Sequence, residues 1–379
     1  MIGQDVPLRS SNPLKQCKAT RLMPYSVMPF AKAILTVLFL TAAFSFAGPL
    51  SAAEVKPGAS YGAKLADKPA WFKDSFLEFE EDVAEASAKG KRVMLYFYQD
   101  GCPYCARLIN ENFADDNQAG FIKQNFDGIS INIWGDREVV SVSGQDFSEK
   151  TFAAALKVQY TPTLLFLDEQ GKVALRLDGY YPTEIFQQAL QYASEKVEQK
   201  LSFSDFRLQN RSAKSGKLNV EPFYLAQTDL AALAKQSDRP LAVYFESAEC
   251  DQCDTLHQRI LIDPPTRKLV MQADNVQFDI SSDKSIVTPQ GKKTTIKQWV
   301  SDLDIAYTPS VLFFNQRGEE VMRISAFIKT FHFQSVYAYV LENAYLQQPV
   351  FQRYIAARAE AIREAGYDTD IWGYESAHQ

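Results

Sequence analysis

The chain has 379 residues, 46% hydrophobic and 13% aromatic, room for two or three packed domains. Its formal charge is −6 and it holds no basic patch of the kind that binds nucleic acid, so the expected partners are proteins or small thiols. Near the amino terminus, Lys15, Lys18, Arg21 and Lys32 precede the apolar run Ala33–Leu40, and Ser51 and Ala53 place small residues just ahead of Glu54. A basic flank, a short apolar core and small residues before a cut predict a secretory signal over residues 1–53. An uncleaved membrane anchor over Ala33–Ala53 is the alternative, since that span is just long enough to cross a bilayer; Met23 and Met28 are alternative starts. Residues 1–53 carry five basic residues and one acidic, so without them the charge is about −10.

Residues 54–75 read as a lead-in. A helix follows over Phe76–Lys89, its apolar residues near helical spacing and Gly90 stopping it. Val93–Tyr98 is an uninterrupted apolar and aromatic run, the pattern of a strand buried on both faces. The pair Cys102-Pro103-Tyr104-Cys105 comes next and opens a helix through Asn110. Phe126–Ile133 predicts a strand, Thr151–Leu156 part of a helix, Thr163–Leu167 and Val173–Leu177 a hairpin around Asp168–Gly171, and Thr183–Lys196 a closing helix.

After a polar stretch around Gln209–Lys217 the same order returns. Leu241–Phe245 leads to Cys250-Asp251-Gln252-Cys253. Asn275–Ile280 is the next strand, Ile296–Leu303 a helix, and Val311–Phe314 with Val321–Ile324 a hairpin. Tyr160-Thr161-Pro162-Thr163 recurs as Tyr307-Thr308-Pro309-Ser310 at matched spacing, and the insert Asp136…Gly144 matches Asp283…Gly291. Helices over Phe331–Gln347 and Pro349–Gly366 and a polar tail carrying Trp372 complete the chain. The plan is a signal at 1–53, a lead-in at 54–75, domain 1 at 76–200, a linker at 201–224, domain 2 at 225–347, and a C-terminal helix and polar tail at 348–379.

Of five cysteines, Cys17 lies in the signal segment, and the other four all belong to the two CxxC pairs. Exported proteins usually spend cysteines on staples far apart in sequence; close pairs alone point to exchange. A cysteine at the first turn of a helix meets unsatisfied backbone N–H groups and the positive end of the helix dipole, which favour its thiolate. A cysteine three residues on can then resolve a mixed disulfide formed by the first. Pro103 suits a helix start, where its missing N–H costs little.

The order of elements, with a buried strand entering CxxC, a Thr-Pro farther on and a Gly-turned hairpin, resembles the thioredoxin fold, over roughly 76–196 and 225–345. The resemblance implies an α/β chain of two tandem thioredoxin-like domains, each a central mixed β-sheet flanked by helices. It implies thiol–disulfide oxidoreductase activity with Cys102, Cys105, Cys250 and Cys253 as catalytic residues. It also implies cis prolines facing the cysteines, with Thr161-Pro162 and Thr308-Pro309 binding the substrate backbone. No cofactor beyond the redox-active disulfides is implied, and a membrane electron donor or acceptor is a further partner for such a protein. Domain 1, with its signal and Trp134-Gly135-Asp136, is similar to exported thioredoxins of bacterial periplasms; Cys-Pro-Tyr-Cys also occurs in glutaredoxins. Two departures stand out. Gly101 and Glu249 replace the family's Trp before the first cysteine, and Tyr96 and Tyr244 replace its buried acid.

Glu249 and Asp251 flank Cys250 and oppose its thiolate, whereas Cys102 has Asp100 at one remove but neutral neighbours, so Cys102 is expected to be the more acidic and faster thiol. Other readings of these residues are blander. Each CxxC could be a structural disulfide or half a zinc site, although zinc pairs usually lie closer in sequence. Ala106 and Asp254 exclude haem attachment, which needs His directly after the pair. His257 reads as a helix-surface residue, and the whole chain could be a non-catalytic thioredoxin-like scaffold that holds client proteins.

Overall fold

The sheet of domain 1 follows from the apolar run at its centre. A strand whose residues are apolar on both faces must be covered on both, and Arg92–Tyr98 takes an interior position. It runs parallel to Phe126–Asn132 on one side and antiparallel to Thr163–Leu167 on the other, and Val173–Asp178 closes the far edge. Leu95 sits opposite Ile129 in one neighbour and Leu165 in the other. Met94 and Tyr96 enter one core, and Val93, Leu95 and Phe97 enter the core on the opposite face. This is the strand alternation expected of a buried sheet.

Domain 2 repeats the arrangement. Leu241–Glu246 lies parallel to Asp274–Asp279 and antiparallel to Ser310–Phe314, which pairs in turn with Glu320–Ile324. The inserts repeat too, as the small hairpins Glu138–Val140 with Asp146–Ser148 and Ser285–Val287 with Lys293–Thr295. Both domains are mixed α/β sheets flanked by helices, as the sequence implied.

The computed structural model describes residues 56–210, 216–248 and 250–376, all of which belong to one unit, Glu54–Gln379. The signal or anchor expected within residues 1–53, Cys17 and Glu249 lie outside the described residues. Among the described residues no helix is long and apolar enough to cross a membrane.

Several elements differ from expectation. The first helix spans Phe79–Ala88 rather than starting at Phe76. Leu77 takes a left-handed φ of 64°, which a continuing helix forbids, and Phe76 is left 93% exposed. Within the span read as a linker, Phe203–Gln209 is a helix capped by Ser202, whose hydroxyl accepts from the Asp205 N–H, and it buries Phe203. The polar tail is also structured. Thr369–Asp370 pairs in parallel with Ser60–Tyr61, so the lead-in and the tail hold each other. Gly58 is required at this junction, because a Cβ there would lie 1.9 Å from the Tyr367 carbonyl oxygen.

The two domains meet face to face through matched residues. Tyr160, next to the Thr161-Pro162 bond, donates its hydroxyl to the Arg323 carbonyl of domain 2 at 2.7 Å. Its counterpart Tyr307 is buried in the core of domain 1, where its ring meets Tyr181 edge-on at 5.4 Å. Tyr181 donates to the Ser325 carbonyl at 2.7 Å. The Thr-Pro loop of each domain therefore lies at the seam.

Candidate functional site

Cys102 forms the N-cap of the short helix Pro103–Arg107, with Pro103 in its first turn. The Cys105 N–H donates to Cys102 Sγ at 3.0 Å, so one of the helix's orphan donors is spent on the sulfur. Cys102 and Cys105 are joined as a disulfide. The helix runs on into a π-type turn at Leu108–Phe113, and the second copy does the same at Leu256–Ile260. The Thr161–Pro162 peptide is cis, and Cys102 Sγ lies 3.4 Å from the Thr161 carbonyl oxygen. The structure thus brings Cys102, Cys105, Thr161 and Pro162 together.

Two glutamines that the sequence reading missed tie this site to the C-terminal helix Phe351–Glu364. Gln99 Nε2 donates to Thr161 Oγ1 at 2.9 Å and to Gln352 Oε1 at 2.8 Å, while Gln99 Oε1 accepts from Trp134 Nε1 at 2.8 Å. Gln352 donates onward to the Gln159 carbonyl at 2.9 Å. Gln99 had only proximity as a signal, standing shortly before Cys102, and Gln352, far off in sequence, had none.

Tyr104, between the two cysteines, is buried in the seam. Its hydroxyl accepts from the Lys329 N–H at 3.0 Å and lies 3.3 Å from His332 Nδ1. His332 and Trp372 meet its ring edge-on, each at 5.0 Å. Burial holds the Tyr104 hydroxyl well above the usual phenol range, so it stays protonated. A cavity of about 290 Å³ opens beside Cys102, walled by domain 1, by Ile324–Ile328 of domain 2 and by the C-terminal helix.

The second site has the same frame. Cys250 caps Asp251–Thr255, its sulfur accepting from the Cys253 N–H at 3.1 Å, and it is bonded to Cys253. The Thr308–Pro309 peptide is cis, and Cys250 Sγ lies 3.5 Å from the Thr308 carbonyl. Ser247 takes the place of Gln99, with its hydroxyl 3.3 Å from Thr308 Oγ1.

The surroundings of the two sites differ most at the end of the central strand. Glu246 is fully buried there, and His257 Nε2 lies 3.1 Å from its carboxylate. His257 Nδ1 lies 3.0 Å from Glu221, which also pairs with Arg267 at 2.8 Å. This corrects the expectation of a helix-surface His257. The residue is 5% exposed, because two carboxylates supply the partners that let an imidazole be buried. Burial alone pulls its pKa down, but Glu246 and then Glu221 outweigh that, and the net shift is upward from 6.5.

At the positions of the missing family acid, Tyr96 and Tyr244 are both buried, and burial drives both phenols far up. They differ in satisfaction. The Tyr244 hydroxyl bonds to that of Tyr337, whereas the Tyr96 hydroxyl has no partner among the described residues. Neither phenol is a proton acceptor at neutral pH.

Chemically, each site sets a sulfur at a helix start against a cis-proline loop, with a second sulfur one turn on. That arrangement is competent for thiol–disulfide exchange.

Comparison with known proteins agrees. The family model of the thioredoxin-like domain matches residues 79–194 and 227–341, more than half of the chain. The chain is 28% identical over 111 residues to the thiol:disulfide interchange protein DsbD of Pseudoalteromonas atlantica; the match covers 29% of this chain and 17% of that protein. Among solved structures, a thioredoxin-fold protein from Helicobacter pylori is 25% identical with a TM-score of 0.28, over 34% of this chain and 87% of that one. A thioredoxin from Thermus thermophilus is 22% identical with a TM-score of 0.25, over 36% and 85%. With the repeat, the paired CxxC helices and the family match in place, the chain belongs to the thioredoxin-like domain family, of which it carries two copies in tandem.

Proposed function

We propose that this chain is an exported thiol–disulfide oxidoreductase that exchanges disulfides with protein thiols, Cys102 acting as the attacking thiol and Cys105 as the resolving one. The observation that carries the reading is Cys102 Sγ held between the Cys105 N–H and the Thr161 carbonyl beside a cis proline. In this reading Thr161-Pro162 and Thr308-Pro309 hold the partner's backbone. Cys250 and Cys253 form a second, slower site. The two disulfides are the only redox groups involved. The interchange protein among its relatives supports the activity; the signal expected over residues 1–53 is the ground for a periplasmic setting, with a membrane donor or acceptor as the source or sink of electrons.

Insulin reduction driven by dithiothreitol tests this. The wild type should accelerate precipitation, Cys102→Ser should remove most of the gain, and Cys250→Ser should keep most of it. A wild-type rate equal to that of dithiothreitol alone sinks the proposal. That result would favour the second reading, a non-catalytic scaffold, which the burial of Cys102 and Cys250 to 5% and 6% exposure supports.

A further inference from the structure

The cavity beside Cys102 is an unusual setting for a thioredoxin-like sulfur, because the second domain and the C-terminal helix roof it. Its volume, about 290 Å³, stands at the low end of small-molecule sites, which run from roughly 300 to 1,000 Å³. A compact thiol enters such a space whole, whereas a protein partner reaches the sulfur only with an extended segment. The far wall is apolar, formed chiefly by Ile324, Phe327, Ile328, Ile355 and Ala359.

Charge narrows the occupant further. The only charged residues in the lining are Asp100 and Asp178, and Asp178 is held by Arg176 at 2.8 Å. Two lysines and an arginine outside the lining have contacts of their own, Arg107 with Glu111 at 2.8 Å. Lys64 and Lys329 set their ammonium groups over the Trp372 ring, at 5.0 and 4.1 Å from its centroid, and Lys329 Nζ also donates to the Trp372 carbonyl. A carboxylate entering the cavity would lose water and meet two lining carboxylates with no lysine or arginine in the lining to pair with, which is costly.

We propose that this cavity admits a low-molecular-mass, uncharged, apolar disulfide or thiol as a substrate of Cys102, in addition to protein partners; the proposal rests on the exchange activity inferred above. In the oxidising direction for the substrate's counterpart, the Cys102 thiolate attacks one sulfur of RS–SR. A Cys102–SR bond forms, and the first RS⁻ leaves and takes up a proton. The Cys105 thiol then gives up its proton, attacks Cys102 Sγ as the thiolate and expels the second RS⁻, which takes up that proton. Two electrons pass from the protein dithiol to the substrate, leaving the Cys102–Cys105 disulfide and two RSH.

The test uses the full chain carrying Cys17→Ser, Cys250→Ser and Cys253→Ser, reduced and then freed of reductant. It is mixed with the symmetrical disulfide of N-acetylcysteine methyl ester, which is neutral, or with that of N-acetylcysteine, which is anionic. Formation of the Cys102–Cys105 disulfide is followed by mass spectrometry, and each rate is divided by that of dithiothreitol with the same reagent. The expected result is a normalised preference for the ester of about tenfold or more, reduced at least about threefold by Ala359→Leu or Ala356→Leu, which fill the cavity. A normalised ratio near one overturns the proposal, as does an ester rate untouched by both leucine variants when each keeps the parent circular dichroism. The ratio in the parent stands on its own if both variants misfold. Absence of reaction with either reagent overturns this proposal, while the exchange reading stands or falls separately on the insulin assay.

Discussion

Tyr180 and Phe327 lie opposite each other in an antiparallel bridge, the Phe327 N–H donating to the Tyr180 carbonyl at 3.2 Å. They occupy the same place in the two copies, just after the last strand of each sheet. A residue facing its own counterpart in an antiparallel bridge marks a local two-fold relation between the repeats, as in an isologous dimer interface. Tyr160 and Tyr307 crossing in opposite directions fit the same relation. Duplication therefore supplied a partner surface as well as a second site, and that surface covers the first.

The cover can be loosened at Phe327. Its ring stands 6.3 Å from Tyr104 and 6.1 Å from Tyr180, and the Arg107 guanidinium lies over it at 4.7 Å. Phe327→Ala removes that ring from the cavity wall beside Cys102 and should cost about 2 kcal/mol, less than a full core truncation because the residue is only partly buried. In the reduced chain, iodoacetamide should label Cys102 several-fold faster than in the parent. An unchanged labelling rate in a folded variant would show that the roof does not limit access.

The matched tyrosines on the central strands make a paired stability test. The Tyr96 hydroxyl is buried and unpartnered, so Tyr96→Phe removes an unsatisfied polar group and should leave stability unchanged or raise it by about 1 kcal/mol. Tyr244→Phe breaks a chain in which Tyr244 meets Tyr337 and Tyr337 donates to Asn275 Oδ1 at 2.8 Å, and it should cost about 1–2 kcal/mol. Urea unfolding of the two variants reads the difference; equal effects would refute the assignment.

What the sequence disclosed tracks the range of the interactions involved. Both sheets, both CxxC helices and the repeated Thr-Pro were legible because strand alternation, helix-start chemistry and repeated spacing are local. The repeat showed Tyr160 and Tyr307 only as members of a recurring motif, since nothing local says that a ring is buried in the neighbouring domain rather than its own. His257 was misread for the same reason. Its partners come from the end of a strand and from the segment before the second domain, and neither lies at helical spacing from it. The helix Phe203–Gln209 fell inside the span read as a linker because its anchors, a cap at Ser202 and rings such as Phe203 and Phe206 packed on Tyr192, make too short a pattern to show periodicity.

The buried cluster around His257 gives domain 2 a pH dependence. Because the folded pKa is raised above 6.5, the charged imidazole stabilises the fold fully below that value, and the contribution fades as pH rises through the folded pKa. Deprotonation leaves the fully buried Glu246 with a neutral imidazole and the Tyr224 hydroxyl at 3.4 Å. The melting temperature should therefore fall from pH 6 towards pH 9. His257→Gln should cost about 3 kcal/mol at pH 6 and flatten this slope. A slope equally steep in the variant would assign it to other groups.

The two nucleophiles should also part company on charge. Cys102 and Cys250 are buried alike, at 5% and 6% exposure, and each sulfur accepts the N–H of its partner cysteine. What differs is the helix that each one caps. The first turn after Cys102 holds no acid and its last turn holds Arg107, while the first turn after Cys250 holds Asp251 and Asp254. Carboxylates at a helix start suit the dipole but oppose a second negative charge beside them. In the reduced chain, alkylation by iodoacetamide should therefore rise at lower pH for Cys102 than for Cys250. Asp251→Asn should move the Cys250 profile towards that of Cys102 by a few tenths of a pH unit to about one unit, the reach of one nearby charge. If Cys250 titrates first, or Asp251→Asn leaves its profile in place, local charge does not set the order of the two sites.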